Sequence, residues 1–310
     1  MGSTVQPEAR PASLTALGVE LDLSPDCFGE LRDSTDALGD VAVLRERMAR
    51  EGYLYLPGYL DREAVLAARR GVTERLAAEG LTDPAYPADE AVAPPGSRLA
   101  FKPDLAHDNA PLHDLLYGAR MIGFYEHFLG GAVRHFDFTW MRAVAPGRAT
   151  APHGDVVFMG RGTHDLYTAW VPLGDVDRAL GGLIVLEGSN NLGAIRDDYA
   201  RRDVDTYCEN VPEEREQAQA GNWSWNGALS DDPAALRAQL GGRWLTAAFR
   251  AGDLLTFSAY TIHGSLDNRA DRIRLSSDSR YQLASAPIDE RWIGAAPIGH
   301  GPGGKRGLIC

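Results

Sequence analysis

The sequence has little cysteine and no long apolar run. Its 310 residues include three cysteines, Cys27, Cys208 and Cys310, which are widely spaced and form no C-x-x-C pair. This pattern argues against a disulfide framework and against a cysteine zinc site, and it makes a reducing cytoplasm the expected compartment. No apolar run approaches the roughly 18 residues of a membrane span. The start of the chain also lacks the apolar core of a secretory signal, so neither feature is expected.

Basic residues are in the minority, and lysine is nearly absent. The chain has 31 basic and 43 acidic residues, a formal net charge of -12 and an isoelectric point near 5.1. An acidic chain repels a phosphate backbone, so a nucleic-acid partner is not expected. Apolar residues make up 44% and charged residues 24%, which is ordinary for a globular protein. The sequence carries no signal for an oligomeric state.

The first part of the chain is patterned as helices around one short strand. Residues 1–38 are mixed in composition, contain proline and are expected to form an N-terminal arm. Helical spacing predicts helices at 41–51 and 61–79, the second of them with Asp61 as its N-cap, and one or two helices over 110–131. The run at 52–57, rich in tyrosine and leucine, predicts a strand between the first two helices.

From residue 132 the pattern changes to short β-rich runs separated by Gly, Pro and Asp turns. These runs span 132–145, 165–173, 182–186, 244–249, 253–257 and 272–283. A polar, acidic and partly helical insertion at about 192–241 interrupts them and is expected to cap the mouth of the fold. A Gly- and Pro-rich tail runs from 286 to 310. Such strands predict a sandwich or barrel, so the fold class is mainly β with flanking helices, and residues 39–285 form one domain.

Histidine is scarce, and two of the eight histidines stand in an H-x-D pattern. His135 and Asp137 lie in an alternating run and are interpreted as the polar face of a half-buried strand. His153 and Asp155 instead follow a Pro-Gly turn, and the glycine between them allows tight backbone geometry. Together with His263, which follows a predicted strand, they form the set of two imidazoles and one carboxylate that suits non-haem Fe(II). A purely structural role for His263 is the alternative.

An arginine-rich strand follows the last of these histidines. Period 2 places Arg272, Arg274 and Arg280 on one face of the run 272–281. A guanidinium on the inner face of a barrel is costly unless it meets an anion, and its planar fork suits a carboxylate. A metal beside such an arginine predicts a co-substrate that chelates the metal and carries a second carboxylate. A solvated polar face is the alternative for most of this run.

These motifs together resemble the phytanoyl-CoA dioxygenase (PhyH) family of Fe(II)/2-oxoglutarate-dependent oxygenases, from about residue 44 to 282. The resemblance rests on the opening helix–strand–helix, the H-x-D at 153–155, the runs 168–177 and 181–190, and an arginine eleven residues after His263. It implies a double-stranded β-helix, which is a jelly-roll, cupin-like barrel. Asn190 departs from the family pattern, because that turn often ends in histidine.

The resemblance also implies roles for individual residues. His153, Asp155 and His263 are the implied iron ligands, Arg274 is the implied partner of the distal carboxylate of 2-oxoglutarate, and Ser265 is an implied hydroxyl contact. The implied co-substrate-lining positions are Lys102, Met141 and Trp170, with a surface lysine and plain core residues as the alternatives. The candidate substrate contacts are Arg161, His164, Trp140, Trp223 and Arg280; solvated-loop roles are the alternative for the first two. Arg272 and Arg280 are alternatives to Arg274, which its spacing favours.

The reaction implied by the resemblance consumes O2 and 2-oxoglutarate, releases succinate and CO2, and hydroxylates an unactivated C–H bond. Asp155 fills the position that a small residue takes in related halogenases, so chlorination is not expected. Desaturation, epimerisation and ring closure stay open, as do a cupin-like enzyme without 2-oxoglutarate and a non-catalytic ligand-binding barrel. The acidic balance argues against a CoA thioester, whose phosphates require basic residues. A small specialised metabolite is therefore the expected partner.

Overall fold

The computed structural model describes residues 13–310. The helices of this part of the chain are α1 (Val41–Glu51), α2 (Arg62–Ala78), α3 (Ala110–Tyr117), α4 (Ala119–Leu129), α5 (Val156–Met159), α6 (Pro212–Gln219) and α7 (Pro233–Leu240). The strands are β1 (Thr15–Ala16), β2 (Val19–Glu20), β3 (Phe28–Glu30), β4 (Tyr53–Leu56), β5 (Val133–His135), β6 (Trp140–Val144), β7 (Tyr167–Pro172), β8 (Leu183–Leu186), β9 (Thr206–Cys208), β10 (Trp244–Thr246), β11 (Leu254–Ser258), β12 (His263–Ser265), β13 (Arg274–Leu283) and β14 (Arg306–Leu308). No helix among the described residues is both long and apolar enough to cross a membrane.

The larger of the two main sheets has six strands arranged around β13. Its order is β4, β11, β7, β13 and β5, and β6 pairs with the same edge of β13 as β5 does. All of these pairs are antiparallel. Because β13 pairs with β7 on one edge and with β6 and β5 on the other, its backbone is held in the middle of the sheet, and its side chains have well-defined positions on the two faces.

The smaller sheet has the order β12, β8, β10 and β3, with β3 parallel to β10. A separate backbone bridge joins His153 to His263 and so ties the loop before α5 to β12. The two sheets face each other as in a jelly roll, but among the described residues they do not merge into one closed barrel. The predicted fold class, mainly β with flanking helices, is confirmed.

Helices α1 to α4 cover the outer face of the larger sheet. In α2 the buried side chains Val65, Ala68, Val72 and Leu76 recur at helical spacing and pack into the same core as strand residues. Burying each of the larger aliphatic side chains stabilises the fold by about 1.5–3 kcal/mol. The Asp61 carboxylate caps α2 by accepting a hydrogen bond from the backbone amide of Ala64, as the sequence predicts.

The first 12 residues of the predicted arm lie outside the described residues. Strand β3, which lies within that arm, pairs with β10 and is an integral part of the smaller sheet. At the other end of the chain, β14 pairs with β9 of the insertion, so the tail returns to the insertion instead of leaving the domain.

The structure corrects one expectation from the cysteine count. Cys208 and Cys310 form a disulfide that joins the end of β9 to the last residue, while Cys27 is buried and unpaired. The two bonded cysteines are separated by 102 residues, and the parallel pairing of β9 with β14 brings them together. The spacing of cysteines along the sequence indicates local geometry and does not predict a disulfide between residues so far apart.

Candidate metal centre

Three predicted residues from two distant parts of the chain meet between the sheets. His153 and Asp155 lie on the loop that leads into α5, and His263 begins β12. One ligand atom from each lies within 4.8 Å of the others, and all three residues are buried. The Asp155 Oδ1 atom is 3.8 Å from His153 Nε2 and 3.9 Å from His263 Nε2. The three donor atoms therefore lie on one side of the cluster and surround a common point.

Backbone carbonyls fix the orientation of both imidazoles. His153 Nδ1 is 2.8 Å from the carbonyl oxygen of Ala151, and His263 Nδ1 is 3.0 Å from that of Thr261. A carbonyl oxygen only accepts hydrogen bonds, so each Nδ1 must carry the proton. Each Nε2 then keeps a free lone pair directed at the centre of the cluster, which is how metal-binding histidines are usually oriented.

The second carboxylate oxygen of Asp155 is held away from the centre. Its Oδ2 accepts hydrogen bonds from the Thr168 hydroxyl at 2.5 Å and from Arg280 Nη2 at 2.9 Å. Gly154 lies beside the Tyr199 ring, and its amide donates to the Tyr199 hydroxyl oxygen at 3.0 Å. A side chain at position 154 would press against this ring, so glycine keeps the H-x-D loop close to the domain.

Burial and local charge put all three side chains in their metal-binding protonation states at neutral pH. Burial, reinforced by the neighbouring His263, lowers the pKa of His153 to about 3, and burial also lowers the pKa of His263. Burial by itself raises the pKa of Asp155, but Arg280 and the two histidines outweigh it and hold that pKa below its ordinary value. Two neutral imidazoles and one carboxylate are therefore available for a divalent metal.

A small buried cavity extends from the cluster to Arg274. The side chains that line it include Thr150, Trp170, His263, Ser265, Arg274 and Asp278. Arg274 is 1% exposed, and its Nη1 donates to the Ser276 hydroxyl at 2.9 Å. Its Nε and the Trp170 Nε1 are buried and have no hydrogen-bond partner. Buried donors without partners are costly, and a carboxylate in this cavity would give the buried Arg274 guanidinium an anion to pair with, so these residues fit the distal end of 2-oxoglutarate.

A second, larger cavity of about 590 Å³ adjoins the cluster on its other side. His153 and Asp155 contribute to its wall, as do the aromatic side chains of Phe138, Trp140, Phe158, Trp223 and Trp292. Concave apolar sites with a few polar groups are typical binding sites for small organic molecules. The metal cluster therefore lies between a small polar cavity and a large apolar one.

The insertion and the tail form the outer wall of the larger cavity. Trp223, Asn226 and Ala228 come from the insertion, and Trp292, Pro297, Ile298, Gly299 and His300 come from the tail. Buried ion pairs hold the tail in this position. Asp205 accepts hydrogen bonds from Arg291, from Lys305 at 2.6 Å and from His300 at 2.8 Å.

The structure brings some predicted residues to the two cavities and leaves others away from them. Trp170, Ser265 and Arg274 line the small cavity, while Trp140, Trp223 and Arg280 line the large one. The remaining four candidates, Lys102, Met141, Arg161 and His164, line neither. Arg272, the alternative to Arg274, is exposed and lies beside Asp271.

Each of these four residues has a different environment. Lys102 forms ion pairs with Glu79 and Asp104. Met141 packs into the core beneath the helices. Arg161 donates to Asp203 and to the carbonyl of Gly304, which anchors the tail. His164 is hydrogen-bonded to the Tyr260 hydroxyl near the surface.

Asn190, at the turn that departs from the family pattern, donates a hydrogen bond to the carbonyl of Ala49 near the end of α1.

Sequence reasoning missed several residues of the cavities. Arg142 lines both of them, and it lies next to Met141, which points to the opposite face of β6. The alternation that places Trp140 inside also places Arg142 inside, so the pattern contained this signal. Trp292 and His300 lie in the Gly- and Pro-rich tail, where no periodicity indicates which side chains face inward.

Comparison with known proteins identifies relatives over most of the chain. The profile of the family described as Phytanoyl-CoA dioxygenase (PhyH) matches residues 48–276. The "1-deoxypentalenic acid 11-beta-hydroxylase" of Streptomyces exfoliatus is 29% identical over 271 residues, which is 84% of this chain and 88% of that protein.

Solved structures share the fold at lower identity. The epimerase SnoN, in complex with Fe3+, alpha ketoglutarate and nogalamycin RO, has a TM-score of 0.54 at 23% identity, covering 85% of this chain and 94% of its own. The alpha ketoglutarate dependent carbocyclase SnoK from nogalamycin biosynthesis also has a TM-score of 0.54, at 18% identity, covering 78% of this chain and 84% of its own.

Proposed function

The chain belongs to the phytanoyl-CoA dioxygenase (PhyH) family of Fe(II)/2-oxoglutarate-dependent oxygenases, and from this premise we propose that it hydroxylates an unactivated carbon of a small specialised metabolite. Iron held at this site would supply the oxidising chemistry: one oxygen atom of O2 would enter succinate as 2-oxoglutarate loses CO2, and the other would enter the C–H bond of the substrate. One observation supports this proposal most directly: the His153–Asp155–His263 cluster lies between the two cavities.

In this proposal the chain's own residues hold and orient the reactants. His153, Asp155 and His263 would hold the iron through two imidazole nitrogens and one carboxylate oxygen. Arg274 and Ser265, with the Trp170 indole as a further donor, hold the distal carboxylate of the co-substrate. The second oxygen of Asp155 stays bonded to Thr168, which keeps the carboxylate from rotating when the metal binds.

The large cavity indicates the size and polarity of the substrate. Its volume of about 590 Å³ and its aromatic wall fit a compact, largely apolar molecule. The relative from Streptomyces exfoliatus is a hydroxylase of 1-deoxypentalenic acid by name, and a small carbocyclic metabolite of comparable size fits here as well. We place the reaction in the cytoplasm, where the Cys208–Cys310 disulfide would have to persist in a reducing environment.

An anaerobic titration tests the proposal. Purified apo-protein receives Fe(II) and then 2-oxoglutarate, and the weak visible charge-transfer band of the chelate is recorded. The band is expected to grow to one equivalent of each. Iron binding without a band contradicts the role of 2-oxoglutarate and supports a cupin-like enzyme. Failure to bind iron supports a non-catalytic binding protein.

A further inference from the structure

Arg280 is buried in the wall of the large cavity, and only one of its three guanidinium nitrogens has a hydrogen-bond partner. Its side chain is 1% exposed, and its Nη2 donates to Asp155 Oδ2 at 2.9 Å. Its guanidinium carbon lies 4.0 Å from the centre of the Trp140 ring. The Nε and Nη1 atoms are buried and have no hydrogen-bond partner; the carboxylate of Asp278 lies 3.8 Å from Nη1, which is too far for a hydrogen bond. Leaving a buried guanidinium in this state is costly unless a ligand completes it.

The charges around the metal centre leave Arg280 without a full counter-charge. The charged side chains that line the two cavities are Arg142, Arg274, Arg280, Asp155 and Asp278. Arg142 and Asp278 neutralise each other through a 2.9 Å hydrogen bond. When both are bound, the distal carboxylate of 2-oxoglutarate would neutralise Arg274, and its other carboxylate and Asp155 together would neutralise Fe(II). Asp155 is then shared between the metal and Arg280, and one positive charge remains in excess.

The position of Arg280 indicates where the missing anion binds. Arg280 lines the large apolar cavity together with Trp140 and Trp292, and it does not line the small cavity that ends at Arg274. An anion in the large cavity that pairs with this guanidinium arrives with the substrate. A guanidinium that faces a carboxylate in a low-dielectric site forms strong, charge-assisted hydrogen bonds.

We propose that the substrate is an apolar acid whose carboxylate binds Arg280, while its hydrocarbon body packs against the aromatic wall of the large cavity. This inference rests on the proposed function and names the substrate class. It also sets the orientation of the substrate, because the carboxylate is anchored beside Asp155 and the oxidised carbon lies a short distance from the acid group. The carboxylate next to the keto group of 2-oxoglutarate is the other source of the same chemistry.

A pair of matched probes tests the charge requirement directly. Adamantane-1-carboxylate and adamantane-1-carboxamide have the same apolar body and differ in charge. Their affinities for the anaerobic protein with Fe(II) and 2-oxoglutarate are measured by calorimetry and by the fluorescence of the tryptophans that line the cavity. The wild-type protein is expected to prefer the acid at least about tenfold, which corresponds to roughly 1.4 kcal/mol. Equal affinities, or binding of neither probe, overturn the proposal.

Two variants and one control distinguish an anion site from a support for Asp155. Arg280→Gln is expected to abolish the preference for the acid, and Arg280→Lys to retain part of it. Thr168→Val removes the other hydrogen bond to Asp155 Oδ2 and leaves Arg280 in place. It is expected to keep the full preference for the acid. An equal loss in Thr168→Val shows that Arg280 acts only by positioning Asp155, and this overturns the proposal.

The charge-transfer band separates this inference from the proposed function. Titration of 2-oxoglutarate into the Arg280→Gln protein is expected to give nearly the wild-type dissociation constant. A tenfold weaker constant, with the probe preference unchanged, assigns the carboxylate to the co-substrate and overturns the substrate assignment. Absence of the band in the wild-type protein contradicts the proposed function, whereas the ratio of acid to amide affinity is measured independently of the band.

Discussion

The two carboxylate oxygens of Asp155 have different neighbours. Oδ1 faces the two histidines, whereas Oδ2 is bonded to Thr168 and Arg280. The other H-x-D pair of the chain has a different environment. Asp137 is partly exposed and accepts a hydrogen bond from the amide of Gly294. The same tripeptide therefore contributes to the candidate metal site at one position and to the end of β5 and a contact with the tail at the other.

Replacing the two aspartates separately tests this assignment. Asp155→Ala is expected to abolish iron binding and turnover, because the site then has only two neutral imidazole ligands and no negatively charged one. Asp137→Ala is expected to bind one equivalent of iron like the wild-type protein. Anaerobic iron titration measures both. Retention of full iron binding by Asp155→Ala contradicts the proposed ligand set.

The two arginines at the start of β13 allow a matched test of the co-substrate site. Arg274→Ala is expected to weaken 2-oxoglutarate binding at least about 100-fold, since it removes a buried charged partner, while iron binding stays intact. Arg272→Ala is expected to change neither, because Arg272 is exposed. The charge-transfer band gives both dissociation constants. A large effect of Arg272→Ala instead means that the wrong arginine has been assigned.

The tail is an element whose position depends on a few strong contacts with the insertion. Strand β14 pairs with β9, and the Cys208–Cys310 disulfide joins their ends. Between these strands and the core, Asp205 and Asp289 surround the guanidinium of Arg291. A segment rich in glycine and proline has little intrinsic preference for one conformation, so these contacts determine where its cavity-lining residues lie.

Removing the disulfide is expected to loosen this element. Cys310→Ser is expected to lower the free energy of unfolding by about 2–4 kcal/mol, because the bond closes a loop of 102 residues. Denaturant unfolding measures this change, and limited proteolysis reports earlier cleavage in the tail. Cys27→Ser is the control for a cysteine outside the tail. Equal protection of the tail in Cys310→Ser and the wild-type protein contradicts this role.

The carboxylate of Asp205 makes the stability of this region depend on pH. Burial alone raises its pKa, but the hydrogen bonds and charges of His300 and Lys305 outweigh burial and lower the pKa to about 2. An unfolded aspartate has a pKa near ~3.9, so the stabilisation is complete above about pH 4 and is lost as the pH falls towards 2. It amounts to about 2–3 kcal/mol.

Unfolding free energies at pH 6 and pH 3 test this dependence. Asp205→Asn is expected to be less stable than the wild-type protein at pH 6 and to lose less of its stability between the two values. Asp271→Asn, which replaces an exposed carboxylate, is the control and is expected to follow the wild-type profile. An unchanged pH dependence in Asp205→Asn contradicts the predicted contribution.

At the scale of the whole molecule, the two sheets and the helical layer form a scaffold around one polar centre. The inward face of β13 carries Arg274, Ser276, Asp278 and Arg280, all buried. So many buried polar groups lower the stability of the empty fold, and ligands that satisfy them are expected to restore it.

Thermal unfolding measures this coupling. Fe(II) and 2-oxoglutarate, each at about 100 times its dissociation constant, are expected to add roughly 2.7 kcal/mol per ligand and to raise Tm by several degrees. A chelator is expected to reverse the whole gain. In Arg274→Ala the gain from iron is expected to remain and that from 2-oxoglutarate to disappear. No rise in Tm for the wild-type protein contradicts binding to the folded state.

The sequence by itself determined the fold class, most element positions and the residues that meet at the metal centre. Helix α1 spans the predicted residues, and the alternation along β13 correctly placed Arg274 and Arg280 on one face. These features depend on local chemistry, such as the spacing of apolar residues, capping side chains and the period of a strand, which a linear pattern retains.

Tertiary structure alone decided which side chains enclose the large cavity and what holds the tail in place. The contact of Asp205 with His300, the pairing of Cys208 with Cys310 and the incomplete bonding of Arg280 all join residues that are distant in the chain. Such contacts depend on how whole elements pack, and many sequences with the same local pattern pack differently. The sequence therefore indicates the chemistry of the candidate metal centre, whereas the packing of elements around that centre determines which substrate can bind.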